Sequence, residues 1–170
     1  MTRHRAAVRI AFVILCYGVT AGSAAVSAWQ AGLKALAAEC GILISSAVAH
    51  APLVRDPLYG ETLKREFSVL TPENALKWAE IHPGRFRYDF RQPDAIMEFA
   101  RSNSAAVHGH TLVWHSQNPA WLTAGTFSRE EMVDILREHI QAVAGRYGGI
   151  AAWDVVNEAL EADGTLRRNL

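Results

Sequence analysis

Short apolar runs alternate with helical patterns through most of the chain, and this alternation constrains the fold more than any other feature. The predicted strands lie at 42–48, 67–71, 106–114 and 150–156. The predicted helices lie at about 29–39, at 57–65, at 94–102 and from Ser128 to Tyr147. A strand, a helix and a further strand in succession imply a parallel sheet with right-handed crossovers. The chain is therefore predicted to have an α/β fold.

The last of these helices has the clearest boundaries. Glu131 follows Ser128 by three residues, the capping-box spacing in which each side chain satisfies the other's backbone N–H. An apolar stripe for burial follows at helical spacing, formed by Met132, Ile135, Leu136, Ile140, Val143 and Tyr147. Gly148 and Gly149 predict the end of the helix, because glycine readily takes the left-handed conformation. The apolar run at 150–156 then predicts a parallel strand buried on both faces.

The N-terminal segment has the layout of a secretory signal. Three arginines precede an apolar run at 10–19, and small residues follow at 21–25. Residues 26–28 form one plausible cleavage box, which predicts a signal peptide at 1–28. The apolar run is shorter than the ~20 residues that span a bilayer. An uncleaved N-terminal anchor is the alternative, and either reading predicts a secreted or periplasmic protein.

Two α/β architectures fit the remainder, residues 29–170. No glycine-rich phosphate loop follows a predicted strand, which disfavours a doubly wound dinucleotide-binding sheet. A complete (β/α)8 TIM barrel takes about 250 residues, so the remaining ~140 suffice for about four of its eight units. The pattern alone predicts either a small open α/β domain or a truncated barrel.

The charge balance limits the class of partner. The chain has 17 basic and 17 acidic residues and a formal net charge of +0. No nucleic-acid partner is expected, because phosphate binding needs a basic surface. A neutral, hydroxyl-rich polymer such as a polysaccharide fits, as do many small molecules. Cleavage after Ala28 would leave Cys40 as the only cysteine, so no intramolecular disulfide is expected.

The first candidate site follows the strand at 150–156. In a barrel the functional face lies at the C-terminal ends of the strands. A carboxylate at the end of a buried strand is costly to ionise, so the pKa of Glu158 is expected to rise, as a general acid in glycoside hydrolysis requires. Asn157 can donate a hydrogen bond to a sugar hydroxyl. The alternative to a catalytic role is that Glu158 caps the next helix, because carboxylates favour helix N-termini.

The second candidate is the segment GHTLVWHSQ at 109–117. His110 lies in an apolar strand. It is either a ligand-binding residue or a core histidine whose hydrogen bonds are made within the protein. Trp114 offers an apolar face for a sugar ring or belongs to the core. His110 and His115 lack a helical zinc spacing, so no metal site is predicted.

The third candidate is the segment LTPENALKW at 70–78. Glu73, Asn74 and Lys77 bring an acceptor, an amide and a cation to one strand end, which suits hydrogen bonding to several hydroxyls. The alternative is a capped helix start with a surface ion pair at i,i+4.

The sequence has no Ser-His-Asp order, nucleophile elbow or Walker loop, so neither acyl transfer nor phosphoryl transfer is supported.

Taken in order, three segments resemble glycoside hydrolase family 10, the endo-1,4-β-xylanases. They are LTPENALKW at 70–78, GHTLVWHSQNPAWL at 109–122 and WDVVNEAL at 153–160. Residues 45–48 also resemble the first barrel strand of that family, so the resemblance covers about 40–170. The resemblance implies a (β/α)8 TIM barrel, truncated here to about the first four β/α units. It also implies that the substrate is xylan or a xylo-oligosaccharide and that no metal or other cofactor is needed.

The resemblance also implies roles for individual residues. Glu158 matches the acid/base, which protonates the departing glycosidic oxygen and then deprotonates the hydrolytic water. Asn157 matches the residue that holds the sugar 2-hydroxyl and steadies the nucleophile. The matches to sugar-binding residues are Glu73, Asn74, Lys77, His110, Trp114 and Gln117, with Lys77, His110 and Trp114 close to the cleavage point.

One expected element of the family is missing from the sequence. Retaining hydrolysis needs a second carboxylate about 5–5.5 Å from the first. The family carries it after the seventh strand, whereas Glu161 and Asp163 are the only acids after Glu158 and match no such position. The chain is therefore expected to be an N-terminal part of a xylanase, prone to association through its open strand edge. The alternatives are a non-catalytic xylan-binding remnant and another family of barrel glycosidase.

Overall fold

The computed structural model describes residues 31–168, so the predicted signal peptide at 1–28 lies outside the described part. The strands are β1 Ser45–Val48, β2 Val69–Pro72, β3 Ala106–Gly109, β4 Val113–Trp114, β5 Ala152–Trp153 and β6 Val156–Asn157. The helices are α1 Leu33–Glu39, α2 His50–Arg55, α3 Pro57–Glu66, α4 Trp78–Ile81, α5 Arg91–Ser102, α6 Ala120–Thr123 and α7 Arg129–Arg146. Among the described helices, none combines the length and the apolar character needed to cross a membrane.

The strand order decides between the two predicted architectures. The main sheet runs β1-β2-β3-β5, and β4 pairs with β6 in a continuation of the last two strands. Every pairing is parallel. A doubly wound sheet reverses its strand order at a switch point, whereas this order follows the chain throughout. The described residues therefore form successive β/α units of a (β/α)8-type barrel.

The helices cover one face of this sheet. Val48, Leu70 and Val107 point from neighbouring strands into one buried cluster, together with Leu63 of α3 and Ile96 of α5. A second buried cluster joins α4, α6 and α7 to β4. The opposite face carries small or polar side chains, and Ser45 Oγ and Thr71 Oγ1 lie 3.2 Å apart on it.

The predicted capping box of α7 is confirmed, but the predicted glycine end is wrong. Ser128 Oγ accepts from the backbone N–H of Glu131 at 3.2 Å, and the Glu131 carboxylate accepts from the N–H of Ser128 at 2.8 Å. Tyr147 ends the helix with φ −109°. Its buried ring and its hydroxyl, which donates to Asp94 at 2.7 Å, fix the turn. Left-handed glycine is therefore not needed there, and neither Gly148 nor Gly149 has a positive φ.

The strand predicted at 150–156 is also corrected. It divides into β5 and β6, and the side chains of Val155 and Val156 are each 55% exposed. The division occurs because the ladder to the neighbouring stretch 106–114 is interrupted, with pairing to β3 through Ala152 and Trp153 and to β4 through Val156 and Asn157. Only one face is covered by helices among residues 31–168, so burial on both faces is not achieved. The strand predicted at 106–114 divides in the same way into β3 and β4.

Candidate active site

All three candidate segments meet at the C-terminal ends of the strands, as predicted. The segment 73–77 follows β2, the loop 115–119 follows β4, and Glu158 follows β6. The β4–β6 register places Trp114 beside Asn157. The β2 and β4 loops are tied together by the N–H of Ala79, which donates to the carbonyl of Gln117 at 2.9 Å.

Glu158 lies at the centre of the arrangement. Its Oε2 accepts from Trp114 Nε1 at 2.9 Å, and His115 Nδ1 lies 3.5 Å from the same oxygen. The side chain is 52% exposed, so the burial expected for it is wrong. No helix follows Glu158 in the described residues up to 168, which also excludes the helix-cap alternative. The carboxylate is thus held by an indole N–H and remains open to a ligand.

Glu158 is also held in an unusual backbone conformation. Its φ is +51°, in the left-handed region that residues other than glycine seldom adopt. Such conformations cost about 1–3 kcal/mol and are found preferentially at functional sites. A hydrogen bond of 3.0 Å from Arg167 Nε to the Glu158 carbonyl helps to fix this conformation.

Lys77 is the buried cation of the site. It is only 8% exposed, and its Nζ donates to Asn74 Oδ1 at 2.9 Å. The same Nζ lies 4.8 Å from the ring centroid of Trp114. Residues 73–77 form a turn in which the N–H of Lys77 donates to the carbonyl of Asn74. In the described structure the Lys77 ammonium pairs with the Asn74 side chain, and the ion pair with Glu73 that a helix would allow is not formed. Lys77 therefore joins the second and third candidate segments.

A shallow cavity extends this site towards β1. It measures about 390 Å³, and its polar lining residues are His50, Asn74, Glu80, Gln92 and Gln117. Gln117 has φ +53°, a second left-handed residue at the rim. Glu73 and Asn74 are exposed beside it. The lining mixes these polar side chains with three alanines, so it offers hydrogen-bonding groups to a hydroxyl-rich ligand beside small apolar patches.

His110 is anchored by a residue that the sequence reasoning did not select. Its Nδ1 lies 2.9 Å from Asp154 Oδ2. The second carboxylate oxygen, Oδ1, lies 3.1 Å from His108 Nε2. The two histidines alternate with buried Val107 and Gly109 in β3 and just beyond its end, a period-2 pattern that could have indicated a shared face. Only the register His108↔Ala152 shows that Asp154 reaches that face too. His110 is therefore paired with a carboxylate and is not an isolated core residue.

A buried aromatic stack supports the Lys77 loop from behind. His139 lies 4.1 Å from Trp78, centroid to centroid, with the rings nearly parallel. Trp78 Nε1 donates to His82 Nδ1 at 3.2 Å. Neither ring nitrogen of His139 has a hydrogen-bond partner. Burial, followed by the neighbouring His82, lowers the pKa of His139 to about 3, and burial also lowers the pKa of His82.

Glu161 and Asp163, the two acids that follow Glu158 in the sequence, both make contacts within the C-terminal turn. Asp163 Oδ1 accepts from both the N–H and the hydroxyl of Thr165, at 2.9 and 2.7 Å. Glu161 pairs with Arg167 at 3.1 Å. Both acids therefore serve the local structure of the turn.

Comparisons with known proteins give a consistent result. Residues 32–170 match the profile of glycosyl hydrolase family 10. Endo-1,4-beta-xylanase B from Thermotoga neapolitana is 49% identical over 113 residues, which are 66% of this chain and 33% of that protein. Beta-1,4-xylanase from Dictyoglomus thermophilum is 49% identical over 118 residues, or 69% of this chain and 32% of that protein. The chain spans about a third of the length of these two relatives.

Solved structures agree with the sequence relatives. Xylanase 10B from Thermotoga petrophila RKU-1, in complex with xylobiose, matches with a TM-score of 0.78 and 42% identity, over 81% of this chain and 43% of that one. The native xylanase 10B from Thermotoga maritima gives the same TM-score and identity, over 81% of this chain and 44% of that one.

Proposed function

Because this chain belongs to glycosyl hydrolase family 10, we propose that it forms part of a retaining endo-1,4-β-xylanase that hydrolyses internal bonds of xylan. The observation that carries the proposal is the hydrogen bond of 2.9 Å from Trp114 Nε1 to Glu158 Oε2. It holds a half-exposed carboxylate at the C-terminal ends of the strands, where barrel enzymes carry their active sites. The relatives named as xylanases, one of them bound to xylobiose, support the choice of substrate.

In the proposed reaction Glu158 acts first as an acid and then as a base. Trp114 holds Oε2, so Oε1 is the atom that protonates the glycosidic oxygen as the bond to the anomeric carbon breaks. A second carboxylate attacks that carbon, and water deprotonated by Glu158 later releases the sugar. Asn157, beside Trp114 in the β4–β6 register, holds the 2-hydroxyl. Lys77 and His110 bind the same sugar residue, which lies on the glycone side of the bond that is cleaved.

The nucleophile is proposed to lie outside these 170 residues. Glu161 and Asp163 follow Glu158 closely in the chain, but Glu161 pairs with Arg167 and Asp163 accepts from Thr165. These contacts support a structural role for both acids. We therefore assign the attacking carboxylate to neither of them.

The acid role is tested by a leaving-group comparison in the enzyme expressed from the whole gene. Glu158→Ala is expected to slow hydrolysis of xylan by at least about a hundredfold, the usual scale of general acid catalysis. It should slow an activated aryl xylobioside far less, because a good leaving group needs no proton. Glu39→Ala, at an exposed glutamate that ends α1, is the matched control and should leave both rates nearly unchanged. Equal losses on both substrates for Glu158→Ala would reject the acid role.

A non-catalytic xylan-binding protein is the second candidate. The observation favouring it is that Lys77 already contacts both Asn74 and Trp114 within this chain. Calorimetric titration of the chain with xylotriose should then show binding that Lys77→Met and Trp114→Ala abolish. Turnover of xylan by the product of the whole gene would exclude this candidate.

We also propose that the protein is exported, on the strength of the signal-like segment at 1–28. N-terminal sequencing of protein recovered from the medium or the periplasm tests this. A mature N-terminus at Trp29 is expected. A chain that keeps Met1 and fractionates with membranes would favour the uncleaved anchor instead.

A further inference from the structure

Two histidines share one carboxylate on the uncovered face of the sheet. His108 Nε2 lies 3.1 Å from Asp154 Oδ1, and His110 Nδ1 lies 2.9 Å from Asp154 Oδ2. His108 lies in β3 and His110 directly follows that strand, and the measured distances show that both imidazoles reach the same acid. The proposed reaction gives a role to His110 but none to His108.

The backbone of Asp154 is fixed independently of these contacts. Its carbonyl accepts from the N–H of Leu112 at 3.0 Å and from Thr111 Oγ1 at 2.9 Å. Its N–H donates to the carbonyl of Gly109 at 2.9 Å. The freedom that remains is rotation of the side chain, and the terminal torsion of an aspartate is broad. A single contact to His110 would leave the plane of the carboxylate free to rotate about that contact.

The second imidazole removes this freedom. A carboxylate can only accept hydrogen bonds, so His110 donates to Oδ2 from Nδ1, while Nε2 of His108 lies 3.1 Å from Oδ1, at ion-pair distance. With Oδ1 held by His108, Oδ2 remains directed at His110. Donation from Nδ1 leaves Nε2 of a neutral His110 as an acceptor, because the hydrogen bond at one ring nitrogen sets the state of the other.

We propose that His108 is a positioning residue for the sugar-binding histidine. By holding Oδ1 of Asp154, it keeps Oδ2 on Nδ1 of His110 and so fixes the tautomer and ring orientation with which His110 meets a sugar hydroxyl. The sugar contact rests on the proposed function, whereas the link from His108 to His110 does not.

The link is tested on the chain without any sugar. Imidazole ¹⁵N NMR of the unsubstituted protein should show His110 protonated at Nδ1. In His108→Leu the two His110 nitrogens should shift towards a mixture of tautomers. In His108→Gln, whose side-chain amide can donate to the same oxygen, the original tautomer should return. An unchanged His110 signal in His108→Leu would overturn the proposal.

One further variant, His108→Asn, separates positioning from folding. Thermal unfolding is recorded for each variant, and a failure of His108→Leu to fold moves the comparison to His108→Gln and His108→Asn. The shorter asparagine should lose the contact and disturb the tautomer, and equal spectra for the two amides would refute the link.

Kinetics of the whole-gene enzyme then connect the link to function. Loss of the His108 contact to the Asp154 carboxylate should lower kcat/KM by about tenfold in His108→Leu. His108→Gln should stay within about twofold of the unsubstituted enzyme. An enzyme that fails to cleave xylan sinks the proposed function, while the sugar-free spectra still decide the link.

Discussion

Acid should destabilise this protein through His139 well before its carboxylates begin to titrate. The side chain is completely buried and stacks on Trp78, and its two ring nitrogens have no hydrogen-bond partner. Its pKa in the folded chain is about 3, lowered by burial first and by His82 second. The pKa of histidine in an unfolded chain is about 6.5. Between these two values the unfolded chain binds a proton that the folded chain cannot accommodate.

The sign and the size of the effect follow from this difference. Above about pH 6.5 the imidazole is neutral in both states and the full free energy of unfolding is retained. Below it, the free energy of unfolding falls by about 1.4 kcal/mol per pH unit until the folded pKa is reached. Lowering the pH from 7.5 to 5.0 should therefore cost about 2 kcal/mol, a large part of the 5–15 kcal/mol typical of a domain. His82, whose pKa is also lowered by burial, acts in the same direction.

Urea unfolding followed by tryptophan fluorescence at pH 7.5 and 5.0 measures this loss. Unpaired carboxylates of the unfolded chain titrate mainly near pH 4, below this window. His139→Phe keeps an aromatic ring against Trp78 and removes the titrating group, so most of the pH dependence should disappear. His139→Gln should also flatten it, from a lower starting stability. If the dependence on pH persisted unchanged in both variants, burial of His139 would not be its cause.

Three further substitutions have expected outcomes. Ser128→Ala removes half of the capping box and should lower the free energy of unfolding by about 0.5–2 kcal/mol in urea, with no change in sugar binding. Gly109→Ala would place a Cβ 2.3 Å from the ring of Trp153, so an unfolding free energy lower by about 1–3 kcal/mol is expected, and unchanged stability would contradict that packing. Trp114→Phe keeps a ring but loses the N–H that holds Glu158, so xylan turnover by the whole-gene enzyme should fall about tenfold or more while the melting temperature stays nearly constant.

The sequence was sufficient where a feature depends on neighbouring residues. The capping box of α7 involves Ser128 and Glu131 only, and the alternation of strands and helices predicted the parallel sheet. The meeting of the 73–77 turn with the 115–119 loop also followed, because the C-terminal ends of parallel strands lie at one edge.

Features that depend on register or on contacts across the fold could not be predicted in this way. The contact between His108 and Asp154 needs the pairing of His108 with Ala152, which no local pattern gives. The half-exposed state of Glu158 depends on which elements cover the strand ends, which no local pattern gives. Tyr147 replaced the expected glycine at the end of α7 because its hydroxyl finds Asp94 on a different helix.

The left-handed backbone of Glu158 has a consequence for how such a chain can evolve. At φ +51° an asparagine is tolerated far better than a glutamate, since its short polar side chain suits this region. Loss of the acid by Glu158→Asn should therefore leave the fold as stable as before, or stabilise it by about 1 kcal/mol. Selection for stability alone would thus drift away from glutamate at this position. A lineage that keeps Glu158 does so against the conformational preference of its own backbone, and only continued use of the carboxylate can maintain it.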